Sequence, residues 1–190
     1  MLVRERIIKT MVKPYKKLDE RKKFDGFLID AFEADFETEA GIFTAEVLKH
    51  PGGAVIAATH DDEYFYVVDQ FRFGTEMIMT EFPAGKTDPG EIPLNVAKRE
   101  LQEEIGYRAQ TIVPLGIMHP TPAYLTEALA LFYATDLEFV GQNLDEGEEL
   151  HVHQLKLSEI EAKIMSNEIT DAKTIALAMK LRLYLQNKKV

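Results

Sequence analysis

Three glutamates, Glu100, Glu103 and Glu104, stand at positions i, i+3 and i+4. They belong to the 23-residue stretch GKTDPGEIPLNVAKRELQEEIGY, Gly85–Tyr107, which carries five acidic side chains. On a helix this spacing puts the three carboxylates on one turn, where like charges repel. A hard divalent cation with oxygen ligands would relieve the repulsion, and a phosphate-bearing substrate would supply the remaining ligands. A solvated acidic helix face is the other reading. Taken alone, the three residues do not choose between them.

The helix itself is well marked. Pro93 suits a first helical turn and Gly106 a left-handed stop, so Pro93 to Ile105 is predicted helical. Leu94, Ala97, Leu101 and Ile105 follow i, i+3, i+7 and i+11 and are expected to form its inward stripe.

Around this helix the apolar pattern changes period. Residues 24–50 alternate apolar and polar, as a hairpin or two successive strands would. AVIAAT and DDEYFYVVDQFRF read as strands, and MIMTEFPAG as a short one ending at Pro83. Strand-like segments return at AQTIVPLGIMH, EALALFYATDL and LHVHQLKL. Two helices close the chain, SEIEAKIMSN and then DAKTIALAMKLRLYLQ after a Thr170-Asp171 cap. Strands, one central helix, more strands and terminal helices do not give the regular alternation of a doubly wound parallel sheet. The expected class is α+β with a mixed sheet.

The chain has 190 residues, 46% of them hydrophobic, enough for one domain with its own core and a short appendage. No apolar run is long enough to span a bilayer. The first residues, MLVRERIIKTMVKPYKKLDERKKF, carry charges where a signal peptide needs an apolar centre, so no export is expected. There are no cysteines, which excludes disulfides, thiolate metal sites and cysteine nucleophiles and fits a reducing cytoplasm. The net charge of −10 argues against nonspecific nucleic-acid binding. Residues 1–24 hold nine Lys/Arg and three Asp/Glu, a local +6, so the remainder carries −16. Such an arm is either a solvated tail or a segment that packs on a second copy of the acidic body.

The long acidic stretch has further fixed positions. Gly85 is followed after five residues by Glu91, then after seven by Arg99-Glu100-Leu101, with Glu103-Glu104 and Gly106 beyond. This resembles the signature of the Nudix hydrolases, with Tyr107 in place of a usual aliphatic residue. The resemblance implies an α/β/α sandwich with a mixed β-sheet, a catalytic loop-helix-loop and C-terminal helices. It implies Glu100 and Glu104 as direct metal ligands, with Glu103 helping to bind a second metal or holding the site through water. Arg99 would orient the glutamates, paired with Glu91, while Gly85 and Gly106 would be backbone positions where a side chain is disfavoured. The implied cofactor is Mg2+, or Mn2+ in its place.

Sequence outside the signature narrows the resemblance. Glu81-Phe82-Pro83-Ala84-Gly85 is similar to a run in the ADP-ribose pyrophosphatase branch, where the alanine carbonyl is a metal ligand, so Ala84 is the candidate backbone ligand. His119 to Glu127 looks like that branch's loop with a proline about fifteen residues past the signature. This makes Pro122 and Glu127 candidate substrate contacts, with Ala123 where glycine is usual. Asp69 to Phe73 resembles the strand end that carries a substrate-contacting arginine, here Arg72, suited to a diphosphate. Ile169 to Thr174 is similar to a helix start shared by ADP-ribose and GDP-mannose pyrophosphatases. The general base is expected in Asp145-Glu146-Gly147-Glu148-Glu149, with Glu148 placed first, Glu146 second and Glu149 third. His151 and His153 share a strand face but are read as ordinary strand residues, because no third ligand is near in sequence.

The expected organisation is an N-terminal arm with strands over 1–45, serving dimerisation, and a Nudix hydrolase domain over 46–190. The expected function is metal-dependent hydrolysis of the pyrophosphate bond of ADP-ribose or a related nucleoside diphosphate sugar. GDP-mannose is the alternative substrate. A non-catalytic ADP-ribose sensor is the reading of another class, weakened by the intact glutamates. The branch implies a homodimer, without nucleic-acid or membrane partners.

Overall fold

A computed structural model describes residues 13–144 and 147–188. The first half of the basic arm and the candidate base Glu146 lie outside these residues. The chain divides into two compact units between Lys49 and His50. A boundary at 45/46 would fall inside a strand that runs from Gly41 to Lys49.

The first unit is an antiparallel sheet of β1 (Lys16–Asp25), β2 (Asp30–Thr38) and β3 (Gly41–Lys49), in that order. It has one strand more than the pattern over 24–50 announced. The basic stretch from Lys16 becomes β1 because its cations meet acids on β2. Arg21 pairs with Asp35 at 2.7 and 3.0 Å, and Lys23 with Glu33 at 2.8 Å. Opposite charges across neighbouring strands favour the ladder. Phe24, Phe27, Ile42 and Phe43 of this unit are exposed.

The second unit holds β4 (Gly53–Ala58), β5 (Tyr64–Arg72), β6 (Met77–Glu81), β7 (Ala84–Lys86), α1 (Pro93–Ile105), β8 (Tyr107–Met118), β9 (Leu129–Phe139), β10 (Leu150–Lys156), α2 (Leu157–Met165) and α3 (Ala172–Lys188). Its mixed sheet has the order β7-β4-β9-β8, with β4 and β9 parallel and the other pairs antiparallel. A second, antiparallel sheet has the order β10-β5-β6. Every residue of β4 is buried, as a strand covered on both faces requires.

Alternation along β4 and β9 sorts the core into two layers. Val55, Ala57, Leu131 and Tyr133 pack with Leu177, Leu181 and Leu185 of α3 and Ile160 of α2. Ala54, Ile56, Ala58, Phe132 and Ala134 pack with Val96, Ala97, Leu101 and Ile105 of α1. Helices therefore cover both faces of the mixed sheet, an α/β/α arrangement. Among the described residues no helix is long and apolar enough to cross a membrane.

The expected stripe of α1 needs one correction. Leu94 is exposed, and Val96 takes the inward place. Leu94 lies in the first turn, beyond the part of the helix that the sheet covers, whereas Val96 precedes Glu100 by one turn on the buried side. Asp171 caps α3 as expected, its carboxylate accepting the Thr174 N–H at 2.8 Å. Tyr107, the departure from the signature, places its ring against Phe139, His60 and Tyr66. The Tyr66 hydroxyl donates to the Tyr107 hydroxyl at 2.8 Å, so the extra polar atom is satisfied.

Candidate active site

The site grows from the turn β7 makes against α1. Ala84 and Gly85 pair with Val55 and Ala54 of the central strand, a short ladder beyond the strand that the sequence pattern ends at Pro83. That pairing brings the backbone of Gly85 up to the helix. A Cβ added at Gly85 would stand 1.6 Å from Glu100 Oε1 and 1.9 Å from its Cδ. The Glu100 carboxylate fills the space a side chain would need. Gly106 has φ +79°, ends α1 in the left-handed region, and donates its N–H to Gln102 O at 3.0 Å.

Glu100 and Glu104 are one turn apart on the buried side of α1, next to Val96, Ala97 and Leu101, and are 7% and 2% exposed. The Ala84 N–H donates to Glu104 Oε2 at 3.0 Å. Burial pushes the Glu100 carboxyl up to about 7, against the pull of Arg99, with Glu103 and Glu148 adding repulsion. Burial raises Glu104 well above the usual carboxylate range, reinforced by Glu100 and Glu148 and opposed by the Ala84 N–H and Arg72. Two deep carboxylates that are each costly to ionise are therefore set side by side.

Arg99 is the hub of the outer half. Its Nη1 donates to Glu100 Oε1 at 2.6 Å and to Glu103 Oε2 at 2.7 Å. Its Nε and Nη2 reach Glu91 at 3.3 and 3.1 Å, and Nη2 also donates to Lys86 O at 2.9 Å. The guanidinium beside Glu91 holds that carboxyl below its ordinary value. Among the described residues no three His, Asp or Glu side chains stand at ligating spacing. Glu100 and Glu103 turn to the Arg99 guanidinium, and Glu104 turns to Ala84.

The donor chemistry suits a hard divalent cation. Glu100 and Glu104 offer carboxylate oxygens, Ala84 lies against Glu104 with a backbone carbonyl of its own, and among the described residues Glu104 has no ion-pair partner to offset its burial. Glu148 belongs to the same field, since its charge acts on both buried glutamates. It is also tied to β5, with Gln70 Nε2 donating to Glu148 Oε1 at 3.0 Å.

Arg72 makes a two-pronged pair with Glu81, Nε at 2.9 Å and Nη2 at 2.6 Å. Glu81 is 1% exposed and also accepts from Lys173, which in turn meets Asp171 at 2.9 Å. Glu81, Lys173 and Gln70 were not singled out from sequence as site residues. A lone acid in the apolar run MIMTEFPAG was the available signal for Glu81. Glu127 is engaged elsewhere: it lies 3.4 Å from His50 Nδ1, and Thr126 Oγ1 accepts the His50 N–H at 3.0 Å. No hydrogen bond or ion pair among the described residues joins Pro122 or Glu127 to the glutamates. Glu149 is exposed. His151 and His153 stack at 5.6 Å, and His153 meets Asp69 at 3.2 Å across the β5–β10 pair.

Comparison with known proteins shows the family. The model of the NUDIX domain matches residues 49–178. The chain belongs to the Nudix family and is by class a pyrophosphohydrolase. It is similar to an ADP-ribose pyrophosphatase of Bacillus subtilis (strain 168), 33% identical over 162 residues, covering 84% of this chain and 88% of the relative. It is similar to a methanol dehydrogenase activator of Bacillus methanolicus, 32% identical over 140 residues, covering 73% and 76%. A crystal structure of an ADP compounds hydrolase superposes with a TM-score of 0.82 at 22% identity, over 93% of this chain and 97% of that one, and shows the shared fold.

Proposed function

We propose that the protein hydrolyses the pyrophosphate bond of ADP-ribose or a closely related nucleoside diphosphate sugar, with Mg2+ as its cofactor. The observation that carries this reading is the buried pair Glu100 and Glu104 packed against Ala84 and Gly85. The similarity to an ADP-ribose pyrophosphatase supports the substrate class.

Glu100, Glu104 and the Ala84 carbonyl would hold the metal, with Glu103 assisting at a second ion. When bound, divalent ions neutralise phosphoryl oxygens and lower the pKa of the attacking water. The residues of the chain do the rest. Arg99 fixes the rotamers of Glu100 and Glu103 through its paired donors. Arg72, braced on Glu81, presents positive charge to the diphosphate. Pro122 and Glu127 shape the substrate loop. Glu148 takes a proton from water as its oxygen bonds to one phosphorus, and the bridging oxygen leaves with the other phosphate. The products are a nucleoside monophosphate and a sugar phosphate, with one water consumed.

We infer further that the strands of residues 16–49 serve a homodimer. A three-stranded sheet with Phe24, Phe27, Ile42 and Phe43 exposed gains from a covering partner. The lack of cysteine is compatible with a cytoplasmic enzyme.

The test is a panel of ADP-ribose, ADP-glucose, GDP-mannose and nucleoside triphosphates with Mg2+, with product identification. AMP and ribose 5-phosphate from ADP-ribose at the highest kcat/KM are expected. Preferential cleavage of triphosphates, or ADP-ribose binding without turnover, would overturn the proposal. Hydrolysis in 18O-labelled water identifies the attacked phosphorus.

A further inference from the structure

β5 alternates between two surroundings. Phe65 and Val67 face the α3 layer, whereas Tyr66 and Val68 face the layer of α1. Gln70 and Arg72 continue the even-numbered side, so both belong to the side of β5 that carries the glutamates' neighbours. Arg72 is engaged there by Glu81. Gln70 is engaged by Glu148, at 3.0 Å from its Nε2.

Gln70 is held more firmly than Glu148. It sits inside the β10-β5-β6 sheet, paired across to Leu150 on one side and Met79 on the other. Glu148 precedes β10 and lies outside regular structure. The Gln70–Leu150 pairing fixes the chain two residues beyond Glu148. The amide contact then fixes its side chain. The other end of the same amide, Oε1, is buried without a hydrogen-bond partner among the described residues. Reversing the amide would set that oxygen against a carboxylate oxygen, a repulsive contact. The orientation is therefore dictated by Glu148, at the cost of a buried acceptor that no described residue satisfies. Stability alone would favour an apolar side chain at this place.

We propose that Gln70 is a positioning residue for the reaction: its Nε2 holds the Glu148 carboxylate, on a rigid strand, where it faces the diphosphate. This rests on the reading of Glu148 as general base. Among the described residues the one side-chain hydrogen bond of Gln70 goes to Glu148, and it acts through that residue.

The test compares wild type, Gln70→Met, Glu148→Gln and the double variant, all full-length with Mg2+ and ADP-ribose, together with thermal midpoints. Loss of one hydrogen bond to a charged group predicts a kcat about tenfold lower for Gln70→Met. KM is expected unchanged within about twofold, because the hydrogen bond serves a step after binding. The midpoint is expected unchanged or higher, since the unsatisfied acceptor is gone. In the Glu148→Gln background Gln70→Met is expected to have no further effect on kcat. Gln70→Asn, which keeps the amide and shortens its reach, is expected to lose activity similarly and serves if the methionine variant does not fold. An unchanged kcat in Gln70→Met, an equal loss in both backgrounds, or a loss matched by a lowered midpoint would overturn the proposal. If Glu148→Gln lowers kcat and Gln70→Met does not, the positioning role alone falls. If Glu148→Gln leaves kcat intact, the reading of Glu148 falls with it.

Discussion

Gly85→Ala should separate folding from catalysis. The added Cβ would meet Glu100 Oε1 at 1.6 Å and Cδ at 1.9 Å. Nonbonded carbon and oxygen rest at about 3.4 Å or more, so the carboxylate must withdraw by roughly 2 Å. Glu100 is the far end of a flexible side chain, and it can yield by a rotamer change at little cost to the fold. Gly85 does not lie in the left-handed region, so alanine fits its backbone, and it narrows the unfolded ensemble slightly. The withdrawn carboxylate leaves both its Arg99 partner, at 2.6 Å, and its place beside Glu104. A misplacement of about 1 Å in a catalytic constellation costs about a hundredfold in rate, so kcat should fall by at least about that factor. The assay is AMP release from ADP-ribose at saturating substrate and metal, with thermal unfolding on the same samples and a Mn2+ titration. A midpoint near wild type, a collapsed kcat and weaker Mn2+ binding are expected. Full activity would refute the view that Glu100 in its observed place is essential. An unfolded variant would refute the view that the carboxylate, and not the backbone, absorbs the clash.

Other perturbations read different parts of the site. Glu104→Gln keeps an oxygen to accept the Ala84 N–H and removes a buried charge, so hydrolysis should drop by at least about a hundredfold while the thermal midpoint holds or rises; retained turnover would contradict the assignment. Because Glu100 titrates near pH 7 and Glu104 is also raised, cation binding must displace protons. Mg2+ affinity is therefore expected to increase from pH 6 to pH 8, with proton release seen by calorimetry in buffers of different ionisation heat. The sign for stability is opposite. A carboxyl raised in the folded state contributes stability below its unfolded value, lost as the pH climbs through about 7, so the metal-free protein should be less stable at pH 8 than at pH 5. Arg72→Met leaves the fully buried Glu81 with Lys173 as its remaining cation; a loss of about 1–3 kcal/mol in chemical denaturation is expected, less than for an unaided buried charge. Sedimentation at micromolar concentration should give a dimer, and removal of residues 1–49 should give a monomer.

The helix that carries the glutamates was legible because its signals are local. Pro93, Gly106 and the period of Ala97, Leu101 and Ile105 mark it without reference to anything else. The alternation of β5 and the apolar run of β4 were legible for the same reason. β7 was not, because three residues hold a strand only through their partner β4, and no pattern of that length exists. The strand at Lys16–Asp25 was hidden by its charge: lysines and arginines read as a solvated tail or as an arm for a second copy until their acids on β2 are known. The spacing of Glu100, Glu103 and Glu104 pointed to one turn, but not to the burial that separates two of them from the third. That burial comes from β7, which sequence did not announce. The ties from Gln70 to Glu148 and from Lys173 to Glu81 span 78 and 92 residues, beyond the reach of any local rule.

The central claim is that buried glutamates on α1 serve a cation that in turn serves diphosphate hydrolysis. Its most direct measurement is the initial rate of AMP release from ADP-ribose as Mg2+ is returned to chelator-treated protein. The rate should be negligible without the ion and rise saturably with it. Undiminished release in excess chelator, or no AMP at any Mg2+ concentration, would contradict the account.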